Sequence, residues 1–123
     1  MTRSSLGAWG EAAARDHLVS LGYEVRAVNW RCAEGEIDLI AEIQGTLVFV
    51  EVKTRRAAGF GSPQEAVGPR KARHLMLAAT RYLEDAHLAE IDWRIDVIAI
   101  TAGPGPHVRS LEHFVNAVEG RLP

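Results

Sequence analysis

The chain has 123 residues, of which 47% are hydrophobic and 24% are charged, and its formal net charge is −2 at pH 7. These values are ordinary for a globular protein, so residues 1–123 are expected to form a single domain. No apolar run approaches the ~18–20 residues that span a bilayer, and the N-terminus lacks the apolar centre of a signal peptide. We therefore expect a cytoplasmic protein. The single cysteine, Cys32, excludes an internal disulfide and a set of thiolate metal ligands.

An amphipathic helix is predicted at the N-terminus, from the paired serines to about Leu21, with Gly22 as its terminator. Its apolar arc holds Gly7, Glu11, Ala14, Leu18 and Leu21. Glu11 therefore lies on the face of the helix that packs against the rest of the protein. Acids on such faces usually pair with a base or bind a metal ion. Both interpretations are open for Glu11, and Lys53 is one candidate base.

Three consecutive antiparallel strands are predicted next. The first covers Tyr23–Trp30, and two short apolar runs follow it at Ile37–Ile43 and Leu47–Val52. Only Gln44-Gly45 separates these two runs, so they are expected to form a β-hairpin with a two-residue turn. Gln is a poor residue for the positive φ that such a turn requires. A slip of one residue in the register would send every side chain to the opposite face of the sheet.

Three charged residues, Asp38, Glu51 and Lys53, lie inside the apolar runs of this hairpin. With a two-residue turn, Ile43 faces Thr46 and paired positions sum to 89, so Asp38 lies opposite Glu51. Opposed side chains in an antiparallel pair have Cβ atoms roughly 4.5–5.5 Å apart, and two carboxylates that close repel unless a proton or a cation lies between them. The pattern therefore predicts a divalent cation that prefers oxygen ligands, with Mg²⁺ in first place. The Lys53 ammonium would point to the same place.

A second long helix is predicted from Pro69, with an apolar stripe at helical spacing. Basic residues are concentrated before this helix and in its first turns, at Arg55, Arg56, Arg70, Lys71 and Arg73. They are candidates for contacts with nucleic-acid phosphates, which position a substrate without reading its sequence. The other interpretation is a solvated basic face, which is what charge runs usually form.

The fourth strand is predicted at Asp92–Ile100. Because it follows a helix, it is expected to lie parallel to a strand of the hairpin. Asp96 is a further charge inside an apolar run, and its expected role is structural, with a partner such as Arg94 or the end of a helix. Ser110–Val118 is predicted to form a fifth strand that ends in a short helix.

The hairpin motif resembles a known class of proteins. Asp38, followed after twelve residues by Glu51-Val52-Lys53, resembles the D…(D/E)xK signature of restriction-endonuclease-like nucleases. The strings GEIDLIA and VFVEVKTR, followed by a Gly/Pro loop, a basic helix and a closing HFVNA, resemble the YraN-like family of small bacterial proteins. That family is similar in layout to archaeal Holliday-junction resolvases. The resemblance implies an α/β fold with a mixed central sheet flanked by helices, of the restriction-endonuclease-like type.

The resemblance also implies a function, namely Mg²⁺-dependent cleavage of nucleic-acid phosphodiesters, with Mn²⁺ as a substitute and structured or branched DNA as a candidate substrate. Asp38, Glu51, Lys53 and Glu11 are the implied catalytic residues, and the Asp38 and Glu51 carboxylates with the Val52 carbonyl are the implied metal ligands. The expected binding partner is DNA, and no association with a membrane is expected. Whether the protein forms a homodimer is left open. One alternative is a non-catalytic module that binds nucleic acid or protein on a nuclease-like scaffold. Another is a buried ion network, which is costly to bury and seldom stabilises a fold much.

Overall fold

The computed structural model describes residues 3–56, 67–105 and 107–118. Within them, two helices and five strands follow one another as α1 (Arg3–Ser20), β1 (Glu24–Cys32), β2 (Gly35–Ile43), β3 (Thr46–Arg56), α2 (Pro69–Asp85), β4 (Asp92–Ala102) and β5 (Val108–Phe114). The strands form one sheet in chain order, antiparallel except for the parallel pair β3–β4. The predicted α/β class, the mixed sheet and the parallel fourth strand are confirmed.

The hairpin of β2 and β3 has the predicted turn and register. Ile43 pairs with Thr46 and Leu39 with Val50, so paired positions sum to 89. Both turn residues have positive φ, 48° at Gln44 and 80° at Gly45, which is the pattern of a type I′ turn. Gln44 adopts a backbone conformation that its side chain disfavours, because a shifted register would exchange side chains between the two packed faces of the sheet.

Two apolar clusters lie on opposite faces of the sheet. The face that packs against α1, here called the α1 face, includes Ala14, Leu18, Leu39, Val48, Val50, Ile98 and Ile100. The face that packs against α2, the α2 face, includes Ile40, Leu47, Phe49, Leu75, Ala79 and Ile95. Phe49 meets Tyr82 and Trp93 edge to face, with ring centroids 5.7 Å apart in each pair. Alternation along β3 therefore sends Phe49 and Glu51 to the α2 face.

Several boundaries differ from those predicted. α1 already begins at Arg3, so the paired serines lie within the helix and not before it. β1 extends to Cys32, and β5 begins at Val108. The short helix expected after the fifth strand is wrong for the described residues, in which 115–116 form a turn. Gly22 has φ of 93°, as expected of a helix terminator. No helix in the described part of the chain is long and apolar enough to cross a membrane.

Candidate functional site

β2 and β3 separate at the end of the hairpin opposite its turn, and the predicted charged residues lie at this separation. The backbone pairing of the two strands ends at Leu39 and Val50. Beyond it, the Val52 N–H donates to Asp38 Oδ2 at 2.8 Å. The carboxylate of Asp38 therefore takes the place of a β2 carbonyl between the strands. We call this point the fork.

The carboxylates of Asp38 and Glu51 meet at the fork, as the register predicts. Glu51 lies two residues along β3 from Phe49, a core residue of the α2 face, so it projects to that face. Asp38 reaches Glu51 from the part of β2 beyond its pairing with β3, and the two side chains are within hydrogen-bond reach. Burial, with a contribution from the charge of Glu51, raises the pKa of Asp38 to about 7. The hydrogen bond from the Val52 N–H acts in the opposite direction, because it favours the ionised carboxylate. Near neutral pH, the two carboxylates therefore require a shared proton or a nearby cation.

Two lysines compensate the charge of Glu51, whose side chain is 3% exposed. Lys53 Nζ lies 3.7 Å from Glu51 Oε2, as expected for a neighbour on the same strand face. Lys71 Nζ, from the first turn of α2, lies 3.2 Å from the same oxygen. Lys71 is therefore part of the fork itself, in addition to belonging to the basic group at the start of α2.

Glu11 approaches the fork from α1. This helix passes very close to β3, since a Cβ atom at Gly10 would overlap the Thr54 side chain. The negative charge of Glu11 contributes to the raised pKa of Asp38, so the two carboxylates interact electrostatically. No ion pair joins Glu11 to Lys53 among the side chains that the structure describes, because Lys53 pairs with Glu51. Lys53 is therefore not the partner of Glu11, and Glu11 acts on the fork through its charge.

The oxygen atoms at the fork fit a small divalent cation. Asp38 and Glu51 offer carboxylate oxygens, and the Val52 carbonyl points to the same edge of β3 as the N–H that bonds Asp38. Mg²⁺ typically binds one or two carboxylates and completes its shell with water and substrate phosphate, so it does not need a closed protein cage. No three His, Cys, Asp or Glu side chains of the described residues form a metal-binding group.

The remaining basic residues lie at the same edge of the sheet. Arg55 and Arg56 end β3, and Arg70 and Arg73 lie in the first turns of α2. Because α2 connects β3 to the parallel strand β4, the carboxyl end of β3 and the amino end of α2 lie together. Arg56, Arg70 and Arg73 are exposed, while Arg55 is partly buried. The fold thus brings the predicted phosphate contacts to the edge that carries the fork.

Asp96 lies on the other face of the sheet and belongs to a structural network. It is 0% exposed and accepts hydrogen bonds from Arg94 Nε at 3.0 Å and from Asn116 N at 2.8 Å. Its Oδ2 lies 2.8 Å from His113 Nε2. Burial acts to raise the pKa of Asp96, but these hydrogen bonds outweigh it and hold the pKa below its ordinary value. The expected partnership with Arg94 is confirmed.

Two contacts had no signal in the sequence. Lys71 lies on α2 and Glu51 on β3, so strand alternation gave no reason to bring them together. His113 meets Asp96 because β5 adds to β4, and its Nδ1 lies 3.1 Å from Nε2 of His17 on α1. Burial and the neighbouring His113 lower the pKa of His17. Contacts of this kind depend on how the elements dock, which local patterns do not specify.

The chain is similar to known proteins over most of its length. A profile described as "Uncharacterised protein family UPF0102" matches residues 10–100. The UPF0102 protein of Roseiflexus castenholzii is 46% identical over 118 residues, which cover 95% of each chain. The UPF0102 protein of Mycolicibacterium smegmatis is 50% identical over 107 residues, 84% of this chain and 85% of its own. That of Geobacter sulfurreducens is 46% identical over 114 residues, 93% and 88% of the two chains.

Proposed function

The chain belongs to the UPF0102 family, the YraN-like family that its motifs resemble, and we propose that it is a metal-dependent endonuclease acting on nucleic-acid phosphodiesters. The observation that carries this proposal is the meeting of Asp38, Glu51 and Lys53 at the fork. A surface that only binds a partner gains nothing from two adjacent, largely buried carboxylates, since each costs free energy to desolvate. Structured or branched DNA is the substrate class proposed, from the likeness in layout to junction resolvases.

The proposed cofactor is Mg²⁺, with Mn²⁺ as a substitute, held by the Asp38 and Glu51 carboxylates and the Val52 carbonyl. When bound, such an ion supplies Lewis-acid polarisation of the scissile phosphate and makes the attacking water more acidic. The raised pKa of Asp38 supports this assignment, because carboxylates that repel each other gain most from a cation between them. The negative charge of Glu11 adds to the attraction of the fork for a cation.

Lys53 acts on the substrate in this proposal. Its ammonium shares a strand face with Glu51, so it donates hydrogen bonds to the phosphate oxygens on which negative charge develops, or to the attacking water. The water oxygen forms a new bond to phosphorus, an ester P–O bond breaks, and the leaving oxygen takes up a proton. Arg55, Arg56, Arg70 and Arg73 bind flanking phosphates and orient the strand for cleavage.

One observation favours a second function, that of a non-catalytic binding module. Glu51 already has two ammonium groups within 3.7 Å, so its charge is compensated without a metal ion. A protein with this arrangement can bind nucleic acid through its exposed arginines and leave the phosphodiester intact. Binding of a cation at the fork and cleavage of a substrate distinguish the two functions.

The test of catalysis is a cleavage assay on a panel of nucleic acids with Mg²⁺ or Mn²⁺. The panel holds supercoiled, single-stranded, flap and four-way-junction DNA, and RNA. Wild type should cut at least one of these, and Lys53→Ala should abolish cutting while Mn²⁺ binding persists, because Lys53 is not a ligand. Lys53→Arg should rescue poorly, since a planar guanidinium does not replace a compact ammonium in a confined site.

The control for this assay is identical purification of every variant, because a contaminating nuclease is the main source of false activity. Equal cleavage by wild type and Lys53→Ala would show that the activity belongs to another protein. Binding without cleavage anywhere in the panel would favour the binding module.

A further inference from the structure

Lys71 occupies a position in the fork that its place in the sequence did not predict. Its Nζ is 3.2 Å from Glu51 Oε2, whereas Lys53 Nζ is 3.7 Å from the same atom. The shorter contact is within reach of a charged hydrogen bond, and the longer one is electrostatic only. Lys71 is therefore the direct partner of this buried carboxylate, although it comes from a different layer of the fold.

We propose that Lys71 is an internal cation that competes with the divalent metal for Glu51. This inference rests on the proposed function, because it takes the fork to be the metal site. A carboxylate oxygen that accepts a hydrogen bond from an ammonium group is not fully available to a metal ion. If the ammonium stays where it is, its positive charge opposes the incoming ion. In either case, the Lys71 ammonium weakens the binding of a metal ion to Glu51.

The two lysines consequently have different roles. Lys53 extends from β3, whose pairing with β4 holds the backbone in the sheet at this residue. Lys71 reaches the fork from the first turn of α2 on a long side chain that is 43% exposed, so its head group can leave Glu51 without a change in the backbone. Lys71 is thus a positioning residue that acts on the metal through Glu51.

The experiment is a Mn²⁺ titration without nucleic acid, followed through the electron paramagnetic resonance signal of free Mn²⁺ at pH 8. Lys71→Ala should bind Mn²⁺ roughly tenfold more tightly than wild type or better, since no charged hydrogen bond has to be given up. Lys71→Arg keeps the positive charge and should not tighten binding. Arg81→Ala is the matched control, because it removes one positive charge from the same helix at a residue paired with Glu34 and Asp85.

Competition and a purely structural role predict opposite signs in this titration. If Lys71 only holds Glu51 in place, its removal should weaken Mn²⁺ binding or leave it unchanged, and either result would overturn the inference while wild-type binding upholds the metal site. Binding by Lys71→Ala but not by wild type would support the inference. If neither protein binds Mn²⁺ at millimolar concentration, the metal site and the competition are both rejected. Circular dichroism of each variant confirms that a folded protein was titrated.

Discussion

Replacing Asp38 by Asn should stabilise the protein above neutral pH, which is unusual for a partly buried charged residue. Asn has nearly the same shape and keeps an oxygen that can accept the Val52 N–H. Its amide group can donate to Glu51 where the Asp38 carboxylate repels it. The substitution therefore removes the repulsion at the fork and retains the hydrogen bond.

The size of the effect follows from the pKa of Asp38, which is raised from 3.8 to about 7 by burial and by Glu51. That difference is roughly 3 pH units, and each corresponds to about 1.36 kcal/mol, so an ionised Asp38 costs the folded state up to about 4 kcal/mol. We expect Asp38→Asn to gain on the order of 3 kcal/mol at pH 8. For a domain of this size, that corresponds to a rise in melting temperature of about 10 °C.

The sign of the pH dependence follows from proton binding. Between about pH 4 and pH 7, the folded state keeps the Asp38 proton and the unfolded state has lost it. The stability supplied by this group is therefore complete below about pH 4 and is lost as the pH rises to about 7. Above pH 7, both states have released the proton and the dependence ends. Asp38→Asn should not show this loss of stability between about pH 4 and pH 7, because Asn does not titrate.

Urea unfolding of wild type and Asp38→Asn at pH 4.5, 6 and 8 measures the effect, since the difference between the two curves cancels every other titrating group. Asp16→Asn, at an exposed position of α1, controls for the change in net charge. Mn²⁺ at pH 8 should raise the stability of wild type and not that of Asp38→Asn. Parallel stability curves for the two proteins, or a less stable Asp38→Asn at pH 8, would refute the electrostatic account of the fork.

Three further variants, one of them with two substitutions, test other parts of the structure. Gln44→Asn should raise the free energy of unfolding by about 0.5 kcal/mol in urea melts, because Asn tolerates the positive φ of the turn better than Gln. A lower free energy of unfolding would contradict the assigned turn. Asp96→Ala should lower the free energy of unfolding by about 3–5 kcal/mol, since it leaves buried hydrogen-bond donors unpaired. The control Asp92→Ala, at an exposed position, should have little effect on the free energy of unfolding. The double variant Arg55→Ala, Arg56→Ala should weaken binding of DNA of any sequence and flatten its salt dependence, measured by fluorescence anisotropy; unchanged affinity would remove these arginines from the interface.

The sequence by itself determined the hairpin and what lies on it. Two short apolar runs with a two-residue turn between them specified the strands and the register up to Leu39 and Val50. The same register predicted that Asp38 comes close to Glu51, as the interaction of their side chains shows. Turn chemistry alone argued weakly for this register, because Gln44 is a poor turn residue. The apolar pattern outweighed it, since a one-residue slip would send every side chain of a strand to the opposite face, where it does not fit the packing. Helical periodicity and the start at Pro69 likewise specified α2.

Only the tertiary structure decided which side chains from other elements complete the fork. Lys71 reaches Glu51 because α2 packs on the α2 face, and Glu11 comes near Asp38 because α1 packs closely against β3. Asp96 looked like Asp38 in sequence, as an acid in an apolar strand, yet the sheet directs it to the opposite face, where Arg94 satisfies it. Local pattern specifies the face of one strand, whereas the partners of a buried charge depend on long-range docking of helices and strands.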